Sequence, residues 1–347
     1  MNRIKQLSKG RLFWPLVALF LMVMVNFYFN RDFFSIKIVN GGLFGSVIDI
    51  LNRAAPIMLI AMGMTLVIAT RGIDISVGAT VAISGAIAAA LIGGSLEIKD
   101  GVQSYVSNTP MSLAIIAALG VGLLCGLWNG FLVAGVGMQP IIATLILMVA
   151  GRGVAQLITD GQIVTVYYEP FFFFGNGFFL GVPFAIYLVV AVAIALLLLV
   201  HRTALGLFIQ AVGLNPTAAR FSGISARALI FWVYGFCGVT AAIAGVIVAS
   251  NVKSADGNNA GLMMELDAIL AVALGGTSLD GGRFSLIGTL IGALILQTLQ
   301  YAIYSLGVPP EINLVVKAVV VFLVCLIQSE ALRNMLFQHS APVRRKA

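Results

Sequence analysis

From Met111 to Gly151 the sequence carries no charged side chain. One membrane crossing takes about 20 predominantly apolar residues as a helix, so this stretch holds two crossings. Gly135-Val-Gly-Met-Gln-Pro140 is the one turn available to join them. The rest of the chain repeats the pattern, with apolar runs of little or no charge at about 12–30, 54–70, 75–95, 111–134, 139–158, 183–200, 228–250, 262–280, 284–305 and 311–328. With 60% hydrophobic and 10% charged residues, the expected fold class is all-α. It is a polytopic membrane protein of about ten helices forming one transmembrane domain over residues 1–347. No polar stretch exceeds about 25 residues, which leaves no room for a soluble domain of ordinary size.

The charges orient these spans. Arg3, Lys5, Lys9 and Arg11 precede the run Leu12–Phe29, which is too long for a signal peptide and lacks its cleavage site. It is expected to be an uncleaved first span. The tail 329–347 carries Arg333, Arg344, Arg345 and Lys346, and loop 201–227 carries His201, Arg202, Arg220 and Arg227. Basic loops stay cytoplasmic, so both termini and loop 201–227 are expected inside. The loops with Glu97–Asp100, Asp160–Glu169 and Lys253–Asp256 then fall outside. The net charge of +7 reads as this topology and excludes nucleic acid as a partner. Cys125, Cys237 and Cys325 all fall in apolar runs and read as buried free thiols. No metal-ligand spacing and no phosphate-binding Gly-x-x-x-x-Gly-Lys-[Ser/Thr] loop occurs, so no metal or cofactor is expected.

Loop 201–227 contains a helix signature. Asn215 suits an N-cap, Pro216 the first helical position, and Gly223 the stop. Thr217, Ala218, Ala219 and Arg220 then form a surface helix whose small residues permit close docking of a cytoplasmic partner. Two glycine-and-acid interruptions mark other helix junctions. One is Arg71-Gly72-Ile-Asp74-Ile-Ser76-Val-Gly78. The other runs from Gly275-Gly276 through Asp280-Gly281-Gly282 to Arg283 and follows a core too short for a full crossing. A broken or partly re-entrant helix is expected there. The paired interruptions suggest a duplication of spans two to five in spans seven to ten.

Individual side chains have two readings each. Asp74 either caps the third span or supplies a functional charge, and Arg71 is its ion pair or a cytoplasmic anchor. Glu265 and Asp267 cap a helix or dock a periplasmic partner; without a nearby nucleophile or histidine they do not form a catalytic pair. Lys317 snorkels or pairs with Glu311 or Glu265. Asn129, Gln139, Gln297 and Gln300 hydrogen-bond between helices or line a translocation path suited to a sugar. The ladders Gly122/Gly126/Gly130 and Gly288/Gly292 pack helices within the chain or form a subunit interface. The aromatic stretch Phe171–Phe174 covers the mouth, meets lipid, or meets a partner.

Several stretches together carry a family resemblance. They are Gly63-Met-Thr-Leu-Val-Ile-Ala-Thr-Arg-Gly72-Ile-Asp74-Ile-Ser76-Val-Gly78, Trp128-Asn129-Gly130, Pro140-Ile-Ile-Ala-Thr-Leu, Gly151-Arg152-Gly153, Ala211-Val-Gly-Leu-Asn215 and Ser222-Gly223-Ile224. Glu265-Leu-Asp267 and the run to Gly282 complete the set. From about residue 45 to 328 the chain resembles the permeases of bacterial ATP-binding-cassette importers for simple sugars. Asn52-Arg53-Ala-Ala-Pro56 and Asn258-Asn259-Ala-Gly261 look most like the galactofuranose type, with arabinose permeases on the same plan. One departure stands out, since the family usually has Gly-Gly-Ile-Asp where this chain has Arg71-Gly72-Ile-Asp74. The resemblance implies a bacterial inner-membrane permease, acting as a homodimer or with a close paralogue. It also implies a separate double-cassette ATPase docked on loop 201–227 and a periplasmic sugar-binding protein. The permease itself would have no catalytic site. The competing class is an ion-coupled secondary sugar transporter, which needs intramembrane acids or sodium-coordinating sites, and only Asp74 and the pair Glu265/Asp267 qualify.

Overall fold

In a lipid setting the backbone must satisfy its own hydrogen bonds, and a helix does so within one segment. Each apolar run accordingly forms helix. The computed structural model describes residues 12–39, 41–99, 102–307 and 309–328. The basic ends expected at Arg3–Arg11 and 329–347, Asp100, and the side chains of Glu97, Glu311 and Cys325 lie outside the described set. The α-helices longer than a single turn are α1 (Phe13–Phe29), α2 (Ser46–Ala69), α3 (Val77–Ile92), α4 (Met111–Gly130), α5 (Pro140–Ile158), α6 (Phe184–Arg202), α7 (Leu205–Leu214), α8 (Pro216–Phe221), α9 (Ala226–Val252), α10 (Met264–Leu274), α11 (Leu286–Ser305) and α12 (Pro310–Gln328). Among the described residues six are long and apolar enough to cross a membrane unaided: α2, α4 with its extension to Val136, α5, α6, α9 and α11. The protein is a polytopic helical membrane protein.

The join inside the uncharged run falls where expected. A π-helical turn, Phe131–Val136, ends α4, Gly137 takes φ +84°, and Pro140 opens α5. Helix α2 starts earlier than its apolar core. Asp49 and Arg53 lie on its first turns and face a cavity, so charge does not end the helix there.

Helix α2 is the axis of the bundle. Every residue from Ala54 to Ala69 is buried, as befits a helix apolar on all sides. Helices α9, α11, α10 and α6 pack around it. The first glycine ladder packs within the chain. A β-carbon at Gly122 would lie 2.7 Å from Gly238 O, one at Gly126 2.2 Å from Tyr234 O, and one at Gly130 2.7 Å from Phe231 O. Bare glycines thus let α4 lie directly on α9. Gly288 and Gly292 do the same for α11 against Gly275 and Ala271.

Short antiparallel ladders cover one end of the bundle: β1 (Lys37–Val39) with β2 (Gly42–Phe44), β3 (Ser95–Lys99) with β4 (Val102–Val106), β5 (Ile163–Thr165) with β8 (Ser254–Asp256), and β6 (Phe178–Phe179) with β7 (Val182–Pro183). Leu43 N donates to Gly181 O and Tyr167 N to Gly93 O, tying these pieces together. The aromatic stretch belongs to this cover. Phe171 is fully buried, and Ser250 Oγ donates to its carbonyl while accepting from Gly175 N, both at 2.8 Å. Loop 201–227 occupies the opposite end.

The expected break near residue 270 is present and goes further than expected. Ala255 packs with Ala89 and Ile92, Ala260 with Ala82 and Ile83, and Gly261 lies on Gly78 and Val81. The chain therefore re-enters the bundle alongside α3 before α10 begins. Helix α10 has 11 residues, about 16 Å or half the hydrocarbon thickness.

Candidate functional site

Loop 201–227, expected to dock a partner, holds two helices, not one. Helix α7 is apolar, with Gly206, Ile209, Val212 and Gly213 buried against the bundle. Asn215 then breaks to φ −155°, and its Oδ1 accepts from Thr217 N and Ala218 N, each at 3.0 Å. This N-cap starts α8 at Pro216, and Gly223 at φ +82° follows its end. The face that α8 presents differs from a uniform small-residue surface. Ala219 is buried, whereas Thr217, Ala218, Arg220 and Phe221 are exposed. Phe221, 88% exposed, and Leu214, 58% exposed, are apolar knobs that the sequence reading missed. The signal available was Phe221 standing directly beside Arg220 and Ser222.

Beneath this loop lies a buried polar cluster. Asp74 Oδ1 accepts from Ser76 N at 3.0 Å, Ser76 Oγ at 2.7 Å and Asn129 Nδ2 at 3.2 Å. Asn129 Nδ2 also donates to Ser76 Oγ at 2.7 Å. Asp74, Ser76 and Asn129 are each at most 1% exposed. Asp74 closes a turn onto Ser76, the residue before α3, and so fixes where that helix starts. Asn129 belongs to this cluster, away from the ladder-end cavity described below. Gly72 is needed because a β-carbon there would stand 2.5 Å from the Tyr234 hydroxyl. Arg71 does not pair with Asp74; its guanidinium bonds Leu214 and Asp280 carbonyls. The turn after α10 exposes Asp280 and Arg283, and the cap of α11 is Ser285, whose Oγ accepts from Gly288 N at 3.1 Å.

The re-entrant segment carries its acids inward. Glu265 is 3% exposed, and its Oε2 has no hydrogen-bond partner among the described residues. It lies 2.2 Å from where a β-carbon on Gly78 would stand. Glu265 therefore sits within the bundle, not on the surface where a docking partner would reach it. The reason is the descent of residues 255–261 beside α3. Irregular backbone at this depth needs partners, and Arg152 supplies them by donating to the carbonyls of Asn258 and Ala260. Asp256 Oδ1 accepts from Asn258 N and Asn259 N, and its Oδ2 from Asn259 Nδ2. The Asn259 side chain chiefly holds the Asp256 carboxyl below its ordinary pKa. Asp267 is paired with Lys317 Nζ, a partner different from the two expected for that lysine.

At the ladder end a cavity of about 800 Å³ opens between α2, α9, α10 and α11. Its polar lining includes Asp49, Arg53, Asn251, Asp267, Gln297 and Gln300, and its aromatic lining Tyr301 and Tyr304. Hydrogen-bonding groups beside flat rings suit a polyhydroxylated ligand with apolar ring faces. Gln297 and Gln300 thus meet in one chamber. Gln139 stands exposed at the N-cap position of α5.

A polytopic helical bundle with a polar chamber at one end and the short capped helix α8 at the other has the build of a membrane transport permease. Residues 46–325 match the family described as branched-chain amino acid transport system, permease component, and the chain belongs to it. It is 50% identical to the galactofuranose transporter permease protein YtfT of Escherichia coli (strain K12), over 93% of this chain and 92% of that one. It is 40% identical to the fructose import permease protein FruF of Bifidobacterium longum (strain NCC 2705), over 99% and 94% of the two chains. It is 38% identical to the ribose import permease protein RbsC of Escherichia coli (strain K12), over 91% and 92%. No solved structure matches the chain.

Proposed function

We propose that this chain is the inner-membrane permease of an ATP-driven importer of a monosaccharide, with galactofuranose the first candidate and arabinose the second. The observation that carries the reading is the placement of α2. Its outer end contributes Asp49, Arg53, Pro56 and Ile57 to the polar cavity, and its other end lies under the loop bearing α8. A sugar chamber and an ATPase-docking element thus share one central helix. The similarity to galactofuranose, fructose and ribose permeases supports a sugar over the amino acids of the family's description.

In this reading the chain crosses the membrane ten times with both termini inside, and loop 201–227 is cytoplasmic. Two copies, or one copy and a close paralogue, form the pathway. A double-cassette ATPase takes up α8, and a periplasmic binding protein delivers the sugar to the cavity. ATP-driven closure of the cassettes pushes on the two docking helices and switches the permeases between outward- and inward-facing states. The permease contributes binding, positioning and movement, while the partner hydrolyses ATP. An ion-coupled transporter would leave α8 without a role.

The test is reconstitution in proteoliposomes with the ATPase and binding protein. Galactofuranose, arabinose, ribose and leucine are offered as labelled substrates. ATP-dependent sugar uptake supports the reading. Uptake driven by an ion gradient without ATPase, or uptake of leucine alone, overturns it.

A further inference from the structure

Three stretches far apart in sequence meet at the docking-loop end: the C-terminus of α2, the C-terminus of α7 and the turn between α10 and α11. Gly282 N donates to Ala69 O at 2.8 Å. A β-carbon on Gly213 would stand 1.8 Å from Ala69 O and 2.5 Å from Gly282 N, so backbone lies directly on backbone. Arg71 closes this junction from outside. Its Nε donates to Asp280 O at 3.0 Å and its Nη2 to Leu214 O at 2.8 Å. A guanidinium is a planar fork of fixed donors and can hold two carbonyls at once.

Two further facts give this fork weight. Arg71 has φ +66°, a backbone region that glycine enters at no steric cost and other residues rarely adopt. The chain therefore keeps a strained arginine where the family it resembles usually has glycine. Leu214 at the end of α7, whose carbonyl accepts from Arg71 Nη2, is followed directly by Asn215, the cap of α8. The fork thus grips the root of the docking helix. On its other side it grips the ends of α2 and of the α10 turn, and those two helices line the outer cavity through Asp49, Arg53 and Asp267.

We propose that Arg71 is a positioning residue for coupling, which makes the docking loop, α2 and α10 move as one body so that displacement of α8 reaches the cavity. The proposal rests on the permease reading above. Arg71 is exposed, and the Gly282–Ala69 bond holds the junction together without it. Removing the side chain leaves the fold standing and loosens only the grip on Leu214 and Asp280.

The experiment compares wild type with Arg71→Gln, Arg71→Lys and Arg71→Gly in the reconstituted complex. All four are expected in the membrane at equal amounts, with Arg71→Gly at least as heat-stable as wild type because the strain is relieved. ATP hydrolysed per sugar imported is expected to rise by at least about threefold in the Gln and Gly variants, in line with losing the two exposed charge-assisted hydrogen bonds. Lys, a point donor that reaches one carbonyl at a time, is expected to fall between. Basal ATP hydrolysis and the sugar concentration for half-maximal uptake stay unchanged. A wild-type ratio in both Gln and Gly variants overturns the proposal, as does a uniform fall of all rates with the amount of folded complex.

A second measurement does not need transport. Cysteines at Leu214 and Asp280, in a background freed of native cysteines, are joined by a short bifunctional reagent in the permease alone. Arg71→Gln is expected to slow this cross-linking, and an unchanged rate overturns the clamp. Should wild type fail to bind any ATPase, the permease reading fails while the cross-linking still decides on the clamp.

Discussion

Glu265 turns its buried carboxylate onto Gly78, with Oε2 2.2 Å from the point a β-carbon on that glycine would occupy. The contact fixes how deep the re-entrant segment sinks, because Gly261 O lies 2.5 Å from the same point. Gly78→Ala is therefore expected to force the segment outward and to cost about 1–3 kcal/mol, as overpacking does. Thermal unfolding in detergent measures it. Adding Glu265→Ala should restore part of the loss, since one of the two crowding groups is then gone. A Gly78→Ala protein as stable as wild type would mean that the segment has room to spare.

Asp74 is expected to tolerate asparagine better than leucine. Asn keeps an oxygen to accept from Ser76 N, Ser76 Oγ and Asn129 Nδ2. Leucine leaves Ser76 N and Ser76 Oγ without this acceptor in a buried site, at about 1–3 kcal/mol each, while Asn129 Nδ2 keeps only Ser76 Oγ. Fluorescence-detected size exclusion should show near-normal assembled permease for Asp74→Asn and little for Asp74→Leu. Normal assembly without transport in Asp74→Asn would assign the charge itself a role.

On α8 the two neighbouring alanines should behave differently. Ala218→Trp projects into solvent and is expected to leave membrane levels normal while abolishing co-purification of the ATPase. Ala219→Trp enters a buried position and should disturb the loop itself, visible as faster proteolysis near residue 215 in the permease alone. Phe221→Ala should weaken ATPase binding without altering proteolysis. Equal effects of both tryptophans on proteolysis would contradict the burial difference.

Asp267 and Lys317 form an ion pair beside the cavity. Removing one partner strands the other in a partly buried site, whereas removing both does not. Asp267→Ala and Lys317→Ala should each lower the melting temperature more than the double variant does. If the double variant is the least stable of the three, the pair is a net source of stability.

The loop after α9 has a pH signature. Asp256 titrates below its ordinary value, so its stabilising effect is complete above the ordinary carboxylate pKa. It is lost as pH falls through the lower folded value. Proteolytic protection at residues 257–263 should be level between about pH 7 and pH 5 and fall only below about pH 4. Asp256→Asn should lose part of the protection throughout and show no such step.

Most helix positions were legible because lipid-facing and core-facing helices share one composition; the start of α2 was not, because Asp49 and Arg53 lie inside the helix. Asn215-Pro216 announced α8 through local backbone chemistry alone. The descent of residues 255–261 was hidden because Asn258-Asn259-Ala-Gly261 reads as an ordinary polar turn. Its depth depends on Arg152, a hundred residues away in sequence, which reaches its carbonyls. The site of Asn129 was hidden for a similar reason. A buried amide signals a hydrogen bond, and only the packing of α4 beside the start of α3 shows that its partner is Asp74. Which alanine of α8 faces out follows from how α7 lies on the bundle, and that rests on the bare backbone contact at Gly213.

Helix α2, walled in on every side from Ala54 to Ala69, has a history that its neighbours do not share. During synthesis it enters the membrane well before α9, α10 and α11 exist to surround it. Its Met- and Ala-rich surface must therefore be acceptable to lipid first and to protein later. Substitutions there face selection twice, once by the insertion machinery and once by the finished fold. A polar side chain tolerated in the assembled bundle is still expected to fail if it keeps the newborn helix from partitioning into the bilayer.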